Sequence, residues 1–207
     1  MSQIRMQGSQ SLIKRSIDLA GAAAGLILCL PLVGLAALAI WIEDQGPVFF
    51  CQVRIGKSGE PFTMYKLRSM QVGAENQAEE NLPDTASVGQ VAKFRQDPRV
   101  TRVGKFLRRW SIDEIPQFYN VLKGEMSLVG PRPEVATVVS QYTLTERLRL
   151  AVRPGITGPM QVNGRADLDF EQRSRLELEY IHTGSLWTDL KILVKTIRAV
   201  MNGKGSY

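Results

Sequence analysis

The sequence is poor in the residues that build disulfide frameworks and metal centres. It has two cysteines, Cys29 and Cys51, and a single histidine, His182, among 207 residues. Cys29 lies in an apolar run and Cys51 in a predicted strand, so the pair indicates no disulfide framework and fits a reducing compartment. His182 has neither a triad partner nearby in the sequence nor a metal-ligand spacing. We therefore interpret it as structural.

The sequence also lacks the motifs of nucleic-acid-binding proteins, although its formal net charge is +6 and its pI about 9.5. It has no zinc-ligand spacing, no RNA-binding aromatic signature and no helix-turn-helix pattern, which argues against nucleic acid as a partner. It also has no internal repeat and no low-complexity tract. A modest positive charge of this kind suits anionic lipid head groups or a phosphorylated substrate.

A long apolar run is the clearest feature that the sequence does have. Residues 19–42 contain no charged side chain. A helix over them would measure about 36 Å, more than the roughly 30 Å hydrocarbon core of a bilayer. Pro31 interrupts the run near its middle, and proline inside a helix removes a hydrogen bond and introduces a kink. Each half is too short to cross alone, so the run suits a re-entrant helix as well as a span.

Three membrane interpretations stay open at this point. A cleaved signal peptide fits the basic flank of Lys14 and Arg15, but the run exceeds the usual length of roughly 7–15 residues and no small-x-small cleavage site follows. In a single-pass anchor, the same two cations would favour a cytoplasmic N-terminus and so put the remaining chain outside the cytoplasm. A re-entrant helix would leave the remaining chain in the cytoplasm.

We predict two units in the chain. Residues 1–45 form a polar lead-in and a membrane helix at 16–42, and residues 46–207 form a small α/β domain that is mainly helical. Residues 48–53 and 62–67 are rich in β-forming residues around a turn at 56–59, which predicts a short β-hairpin. Residues 71–96 are polar and predict a surface excursion.

Two later segments have helical periodicity, with an apolar stripe flanked by cations. Such a helix lies on a membrane surface or packs on the core of its own domain, and the sequence leaves both alternatives open. The first stripe begins after Thr101 and the second lies near the C-terminus. The stripes consist of Val103, Phe106, Leu107 and Trp110, and of Trp187, Leu190, Leu193, Val194, Ile197 and Met201.

The segment SIDE at 111–114 predicts a capping box, because a serine is followed three residues later by glutamate before an apolar helix. A capping box usually marks only a helix start. Here it would also place the Asp113 carboxylate in the first helical turn, where the helix dipole favours the ionised form. An ionised carboxylate can act as nucleophile or metal ligand. With Glu114 beside it, the pair would attract Mg²⁺, which prefers oxygen ligands and substrate phosphates.

Basic residues in stiff or glycine-rich loops surround this segment in the sequence. Arg108 precedes it by about one helical turn, and Arg132 lies between two prolines, where a rigidly held guanidinium suits bidentate phosphate contact. Residues 153–165 supply three glycines and two arginines, and glycine-rich loops let backbone amides approach an anion. An ordinary cluster of turns is the alternative, since the loop lacks the known nucleotide-binding spacings.

Several motifs, taken in order, resemble the bacterial sugar transferase family, the monotopic phosphoglycosyl transferases that initiate glycoconjugate assembly. The resemblance runs from about residue 11 to about residue 201, and the ordered set is far more specific than any one motif. The motifs are KLRSM at 66–70, DPRVT at 97–101, SIDEIPQ at 111–117, NVLKG at 120–124, SLVGPRP at 127–133, PGITG at 154–158 and QVNGR at 161–165.

The resemblance implies an enzyme of the bacterial inner (cytoplasmic) membrane that transfers a sugar phosphate from a UDP-sugar to undecaprenyl phosphate and releases UMP. It implies a re-entrant helix broken at Pro31 and a catalytic domain on the cytoplasmic face, in contact with membrane lipids. Asp113 would be the nucleophile that forms a covalent phosphosugar intermediate, and Glu114 the second member of the dyad, with Mg²⁺ as cofactor. The basic positions matching the family's phosphate-binding residues are Lys66, Arg108, Arg132 and Arg165.

Two other classes of function are carried as alternatives. A non-catalytic membrane scaffold would retain the fold while recruiting downstream glycosyltransferases, and a single-pass protein would present a binding domain outside the cell. The dyad and Arg132 are both present, which favours the enzyme over the scaffold. Whether the chain forms a homo-oligomer, and whether the enzyme itself contacts downstream glycosyltransferases, are left open.

Overall fold

A computed structural model describes residues 8–74 and 97–203. Most of the predicted surface excursion at 71–96, namely residues 75–96, lies outside the described residues. The order of elements fits the predicted α/β class, a mainly helical domain with short strands behind a long apolar helix. The α-helices are α1 (Gly8–Asp44), α2 (Arg102–Arg109), α3 (Gln117–Lys123), α4 (Ala136–Val139), α5 (Pro159–Asn163), α6 (Phe170–Thr183) and α7 (Leu186–Asn202), and the strands are β1 (Phe49–Ile55), β2 (Pro61–Leu67), β3 (Ser127–Val129) and β4 (Gly155–Thr157).

The predicted β-hairpin is confirmed. Strands β1 and β2 pair antiparallel, from Phe49 opposite Leu67 to Ile55 opposite Pro61. A 3-10 turn at Lys57–Gly59 joins them. A second, parallel pair joins β3 to β4. This short pair holds together two of the loops in which the sequence placed its basic residues.

Helix α1 begins earlier and ends later than the predicted 16–42, and it continues through Pro31. From Ser11 to Asp44 it is long and apolar enough to cross a membrane, and little of it is buried. Its large apolar side chains are exposed on both sides of Pro31, for example Leu28 at 79% and Leu35 at 67%. Exposure of so much apolar surface on one helix indicates that lipid or another apolar partner covers it.

One face of α1 nevertheless packs along the domain. Ala22 belongs to a core cluster with Val121 and Met126, and Ala36 and Ile40 belong to a second cluster with Leu67, Leu107 and Ile112. Gly25 lies so close to Phe118 that a Cβ there would be 2.9 Å from the ring. The small residues of α1 therefore allow close packing, while most of its large apolar side chains are exposed.

Both ends of α1 are tied to the same domain by polar contacts. Near the start, Lys14 Nζ lies 2.6 Å from Asp189 Oδ2 on α7, and Asp18 accepts the backbone N–H of Leu128 at 3.0 Å. At the end, Glu43 accepts the backbone N–H of Arg102 at 2.8 Å, at the N-terminus of α2. Asp44 pairs with the buried Arg68 just after β2. The domain therefore contacts α1 on both sides of Pro31.

The two predicted amphipathic helices are confirmed as α2 and α7, but their apolar stripes divide between core and surface. On α2, Leu107 is buried in the second core cluster while Phe106 is 57% exposed, and Trp110, directly after the helix, is 41% exposed. On α7, Leu193 is partly buried against the first cluster. The exposed apolar side chains of α7 are Trp187, Leu190, Val194, Ile197 and Met201.

Candidate active site

The segment at 111–114 does not form the predicted capping box. Ser111 has a left-handed backbone, with φ 55°, and its side chain caps no helix N–H. Ile112–Glu114 is a 3-10 turn, and α3 begins only at Gln117, after Pro116. Asp113 therefore lies in a tight turn ahead of the helix, and the helix-dipole argument for its ionisation does not apply.

Tertiary contacts explain why the capping box fails. The backbone N–H of Ser111 already donates to the carbonyl of Arg108 at 3.1 Å, so Glu114 is not needed there. The side chain of Glu114 instead meets two cations from elsewhere in the chain. The Ser111 hydroxyl faces Arg165, whose Nη2 lies 3.4 Å away. Charge-assisted contacts from distant segments have replaced the local helix-start pattern.

Glu114 holds two of the predicted phosphate-binding cations. Its Oε1 accepts from Lys66 Nζ at 3.0 Å and from Arg132 Nη2 at 3.2 Å. Burial by itself would raise the pKa of Glu114, but the charges and hydrogen bonds of these two cations outweigh burial and lower the pKa to about 2. Glu114 is therefore ionised throughout the physiological range.

Asp113 has the opposite environment. It is 7% exposed and, in the part of the chain that the structure describes, its carboxylate accepts no hydrogen bond. Burial raises the pKa of Asp113, opposed by the charge of Lys66 and reinforced by that of Glu114. A buried carboxylate without donors keeps its lone pairs available, which is what a nucleophile or a metal ligand requires.

Two further cations approach the dyad from different segments. Arg108 of α2 donates from Nε to Ser69 Oγ at 2.8 Å, just beyond β2. Arg165 follows Gly164, whose φ of 153° favours glycine and turns the chain back toward Ser111. Burial lowers the pKa of both arginines, while the negative charges of Asp113 and Glu114 act in the other direction.

The Arg132 loop is anchored by a glutamate that sequence reasoning missed. The backbone N–H of Arg132 donates to Glu177 Oε1 at 2.8 Å, and Glu177 Oε2 lies 2.5 Å from Arg149 Nη2. Glu177 is fully buried on α6. The sequence did contain a signal for this role. Glu177 lies at helical spacing with Ser174 and Ile181, which are buried, so it faces the core, where a charged side chain needs a partner.

The structure thus brings together all the predicted site residues around the 3-10 turn, apart from Pro31. Four cations and two carboxylates leave an excess of two positive charges, which suits a substrate with neighbouring phosphates. In the described part of the chain, no group of three or more His, Cys, Asp or Glu side chains could hold a metal. The donor-free Asp113 beside Glu114 still fits Mg²⁺, because this ion commonly binds one or two carboxylates and completes its shell with phosphates and water.

Comparison with known proteins supplies independent information. Residues 9–203 match the family model described as bacterial sugar transferase. The galactosyl transferase CpsE of Streptococcus agalactiae is 42% identical over 96% of this chain and 44% of its own length. The UDP-glucose:undecaprenyl-phosphate glucose-1-phosphate transferase of Escherichia coli is 41% identical over 98% of this chain and 43% of its own length. The exopolysaccharide production protein ExoY of Rhizobium meliloti is 39% identical over 94% of this chain and 88% of its own length. The chain thus spans less than half the length of the first two relatives but most of ExoY.

Proposed function

The chain belongs to the bacterial sugar transferase family, and we propose that it transfers a sugar 1-phosphate from a UDP-sugar to undecaprenyl phosphate, releasing UMP. The transfer would be the first membrane step in the synthesis of a polysaccharide or glycoconjugate. The observation that carries the proposal is the buried, donor-free Asp113 beside a glutamate that holds two cations. The name of the relative from Escherichia coli, which includes a UDP-sugar donor and undecaprenyl phosphate as acceptor, supports it.

In the first step, an Asp113 carboxylate oxygen attacks the β-phosphorus of the UDP-sugar. The bond between that phosphorus and the oxygen bridging to the α-phosphate breaks, and UMP leaves with the bridging oxygen. The product on the enzyme is an aspartyl phosphosugar. In the second step, an oxygen of undecaprenyl phosphate attacks the same phosphorus and displaces Asp113, which regains its carboxylate.

The cations stabilise the charge that this reaction gathers in one place. Lys66 and Arg132 are already oriented by Glu114, so binding a diphosphate requires little rearrangement of either side chain. Arg108 and Arg165 approach from α2 and from the turn after Gly164, and they contact the remaining phosphate oxygens. Bound through Asp113 and Glu114, Mg²⁺ would supply further positive charge at the diphosphate.

We also propose that α1 is re-entrant and that the domain lies on the cytoplasmic face of the inner membrane. A straight helix from Asp18 to Asp44 measures about 39 Å, more than the hydrocarbon core. A spanning α1 would place these two residues on opposite sides of the bilayer, yet both contact one domain. A helix that enters and returns at Pro31 keeps both contacts on one side and buries the large exposed apolar side chains.

The exposed apolar side chains of α2 and α7 support a domain that rests on the membrane surface. Lys191, Lys195 and Arg198 accompany the exposed stripe of α7, an arrangement suited to anionic lipid head groups. The C-terminal ends of the two helices are neighbours, since a Cβ at Gly203 would lie 3.4 Å from Arg109 Cγ. A site at this depth is accessible both to a soluble nucleotide sugar and to a membrane-embedded polyprenyl phosphate.

The reaction is tested by UMP release from the purified protein in nanodiscs with Mg²⁺, across a panel of UDP-sugars, with and without undecaprenyl phosphate. We expect sustained release to need the lipid and one class of sugar. Without the lipid, we expect a single-turnover burst and a mass increase of one sugar phosphate on the peptide containing Asp113. Asp113→Asn should abolish both signals. The control is Asp169→Asn, because asparagine caps α6 as well as aspartate does. No release from any sugar by folded protein would favour the scaffold.

The topology is tested with the native exposed Cys51, which follows α1 on β1, after Cys29→Ser removes the other thiol. A membrane-impermeant maleimide should label Cys51 only after the inner membrane is permeabilised. Labelling of intact spheroplasts would contradict the re-entrant arrangement and support a spanning α1.

A further inference from the structure

A second basic cavity lies away from the dyad, at the N-terminal end of α1. Its volume is about 180 Å³. Its floor is formed by core residues of β3 and α6, and its rim by α1, the β1–β2 turn and the segment before β4. None of its lining residues belongs to the Asp113 site. The charged residues that line it are Lys14, Arg15, Asp18, Lys57 and Arg153.

Local contacts satisfy only part of this charge. Lys14 Nζ donates to Asp189 Oδ2 at 2.6 Å and to the carbonyl of Val129 at 3.1 Å. Asp18 Oδ1 accepts the backbone N–H of Leu128. Arg15, Lys57 and Arg153 form no salt bridge in the described part of the chain. The cavity therefore keeps an excess of positive charge beside a polar interior.

The two arginines also have a structural role, which does not account for all of their donors. Arg15 Nη2 donates to the carbonyl of Leu122 at 3.3 Å, and Arg153 Nε to that of Gly124 at 2.8 Å, so both cap the C-terminus of α3. Arg15 Nη1 is buried and has no hydrogen-bond partner in the described residues. Burial lowers the pKa of Arg15, and the charge of Arg153 lowers it further. An anion between the two would satisfy the free donor and screen the repulsion.

We infer that this cavity binds a phosphate group, that of an anionic phospholipid head group. The position of the cavity favours the lipid source, because Leu12, Ile13 and Ile17 are exposed on the same end of α1, next to its membrane-embedded part, and would face lipid at the membrane surface. The lipid assignment rests on the proposed membrane placement but not on the transfer reaction. Occupation of the cavity would fasten α1 to α3 and β3 at the membrane surface.

The experiment uses the full chain in dodecyl maltoside and follows its thermal midpoint during titration with three probes. The probes are dihexanoyl phosphatidylglycerol, zwitterionic dihexanoyl phosphatidylcholine and inorganic phosphate. We expect phosphatidylglycerol to bind saturably and most tightly. Lys57→Gln and Arg153→Gln should each weaken its apparent affinity at least fivefold. Arg175→Gln, the same charge change on an exposed residue of α6, should leave the affinity unchanged.

Each outcome decides one part of the inference. Equal affinity in the wild type, Lys57→Gln and Arg153→Gln would overturn the site. Inorganic phosphate binding as tightly as phosphatidylglycerol would overturn the lipid source. Lys57 lies on an exposed turn, so its substitution tests the site even where Arg153→Gln fails to fold. Asp113→Asn should abolish UMP release yet bind phosphatidylglycerol as the wild type does. Loss of binding in Asp113→Asn would assign the signal to the dyad and overturn the second site.

Discussion

Glu114 and Glu177 each face an arginine inside the same domain, but their pKa values shift in opposite directions. The side chain of Glu114 is 19% exposed and meets both Lys66 and Arg132, which lower its pKa to about 2 although burial opposes them. Glu177 is fully buried and meets one guanidinium, that of Arg149. Burial raises the pKa of Glu177 despite that guanidinium and the N–H of Arg132. The number of cations and the access of water decide the direction.

The comparison separates the cluster around Glu114, for which we propose a phosphate ligand, from the cluster around Glu177, which holds a loop. Around Glu114, the cations outnumber the carboxylates and keep N–H donors available for phosphate oxygens. Around Glu177, the charges are matched and closed off from solvent. Arg132 belongs to both, because its guanidinium reaches Glu114 and its backbone N–H reaches Glu177. The closed cluster thus positions a cation of the open one.

The largest expected effect is on turnover when Asp113 is replaced by asparagine. We expect a loss of at least about 10³-fold in UMP release, because the amide is no nucleophile. We also expect a higher melting temperature. A carboxyl with a raised folded pKa binds its proton more tightly when folded, so its stability contribution falls as pH rises through the interval above 3.8 and stays unfavourable at neutral pH. Scanning fluorimetry checks this, and an unchanged or lower melting temperature would contradict the burial argument.

The largest effect on stability is expected in the buried cluster of Glu177 and Arg149, the closed cluster. Glu177→Ala removes the nearer carboxylate from the buried guanidinium of Arg149 and leaves it with Glu134 Oε1 at 4.0 Å, and this should cost about 3–5 kcal/mol of unfolding free energy. Glu114→Gln should cost less, because water reaches the open cluster. Chemical denaturation of both variants in the same detergent gives the comparison. An equal loss in the two variants would show that the clusters do not differ in the way described.

Arg132→Lys separates the two roles of that residue. The backbone contact to Glu177 is retained, so the melting temperature should stay within a few degrees of the wild type. Lysine cannot reproduce the planar guanidinium, and we expect UMP release to fall by about 10- to 100-fold. Measuring both quantities on one preparation is the test. A fall in stability that matches Glu177→Ala would mean that the side chain, and not the backbone contact, anchors the loop.

The smallest expected effect is a shift of the pH profile. Because Glu114 stays ionised down to a pH of about 2, the acid limb of activity should report Asp113. UMP release should therefore fall, as pH is lowered, at values above the ordinary aspartate pKa of 3.8. Glu114→Gln removes a negative charge that raises the pKa of Asp113, so the acid limb of its residual activity should move to lower pH. A limb that stays in place would assign it to another group.

Local patterns predicted much of the fold. The β-forming residues at 48–53, the alternation at 62–67 and the turn with two glycines between them identified the hairpin, because all three signals lie within a short stretch of sequence. The apolar stripes of α2 and α7 predicted helices because helical periodicity is also a local signal. They did not predict which of their apolar side chains would be buried in the core. The capping box was wrong because its serine and glutamate met Arg165, Lys66 and Arg132, contacts across sequence distances that a local pattern does not contain.

The candidate site was predictable as a set of residues but not as an arrangement. The ordered motifs proposed Asp113, Glu114 and the four cations, and the roles of these residues stay predictions. Glu177, Ser69 and Arg149 were missed, since each acts through another residue and carries no motif of its own. The proline break at Pro31 and the division into residues 1–45 and 46–207 stay predictions.

The sequence by itself determined the long apolar helix, the hairpin, the amphipathic helices and the identities of the charged residues, because these follow from hydrophobicity, period and residue type within a short window. Only the tertiary structure decided that both ends of α1 contact one domain, that Glu114 gathers Lys66 and Arg132, and that Asp113 is left without a donor. These features depend on which distant segments of the chain pack together. In this site, burial raises the pKa of Asp113, while nearby cations lower the pKa of Glu114.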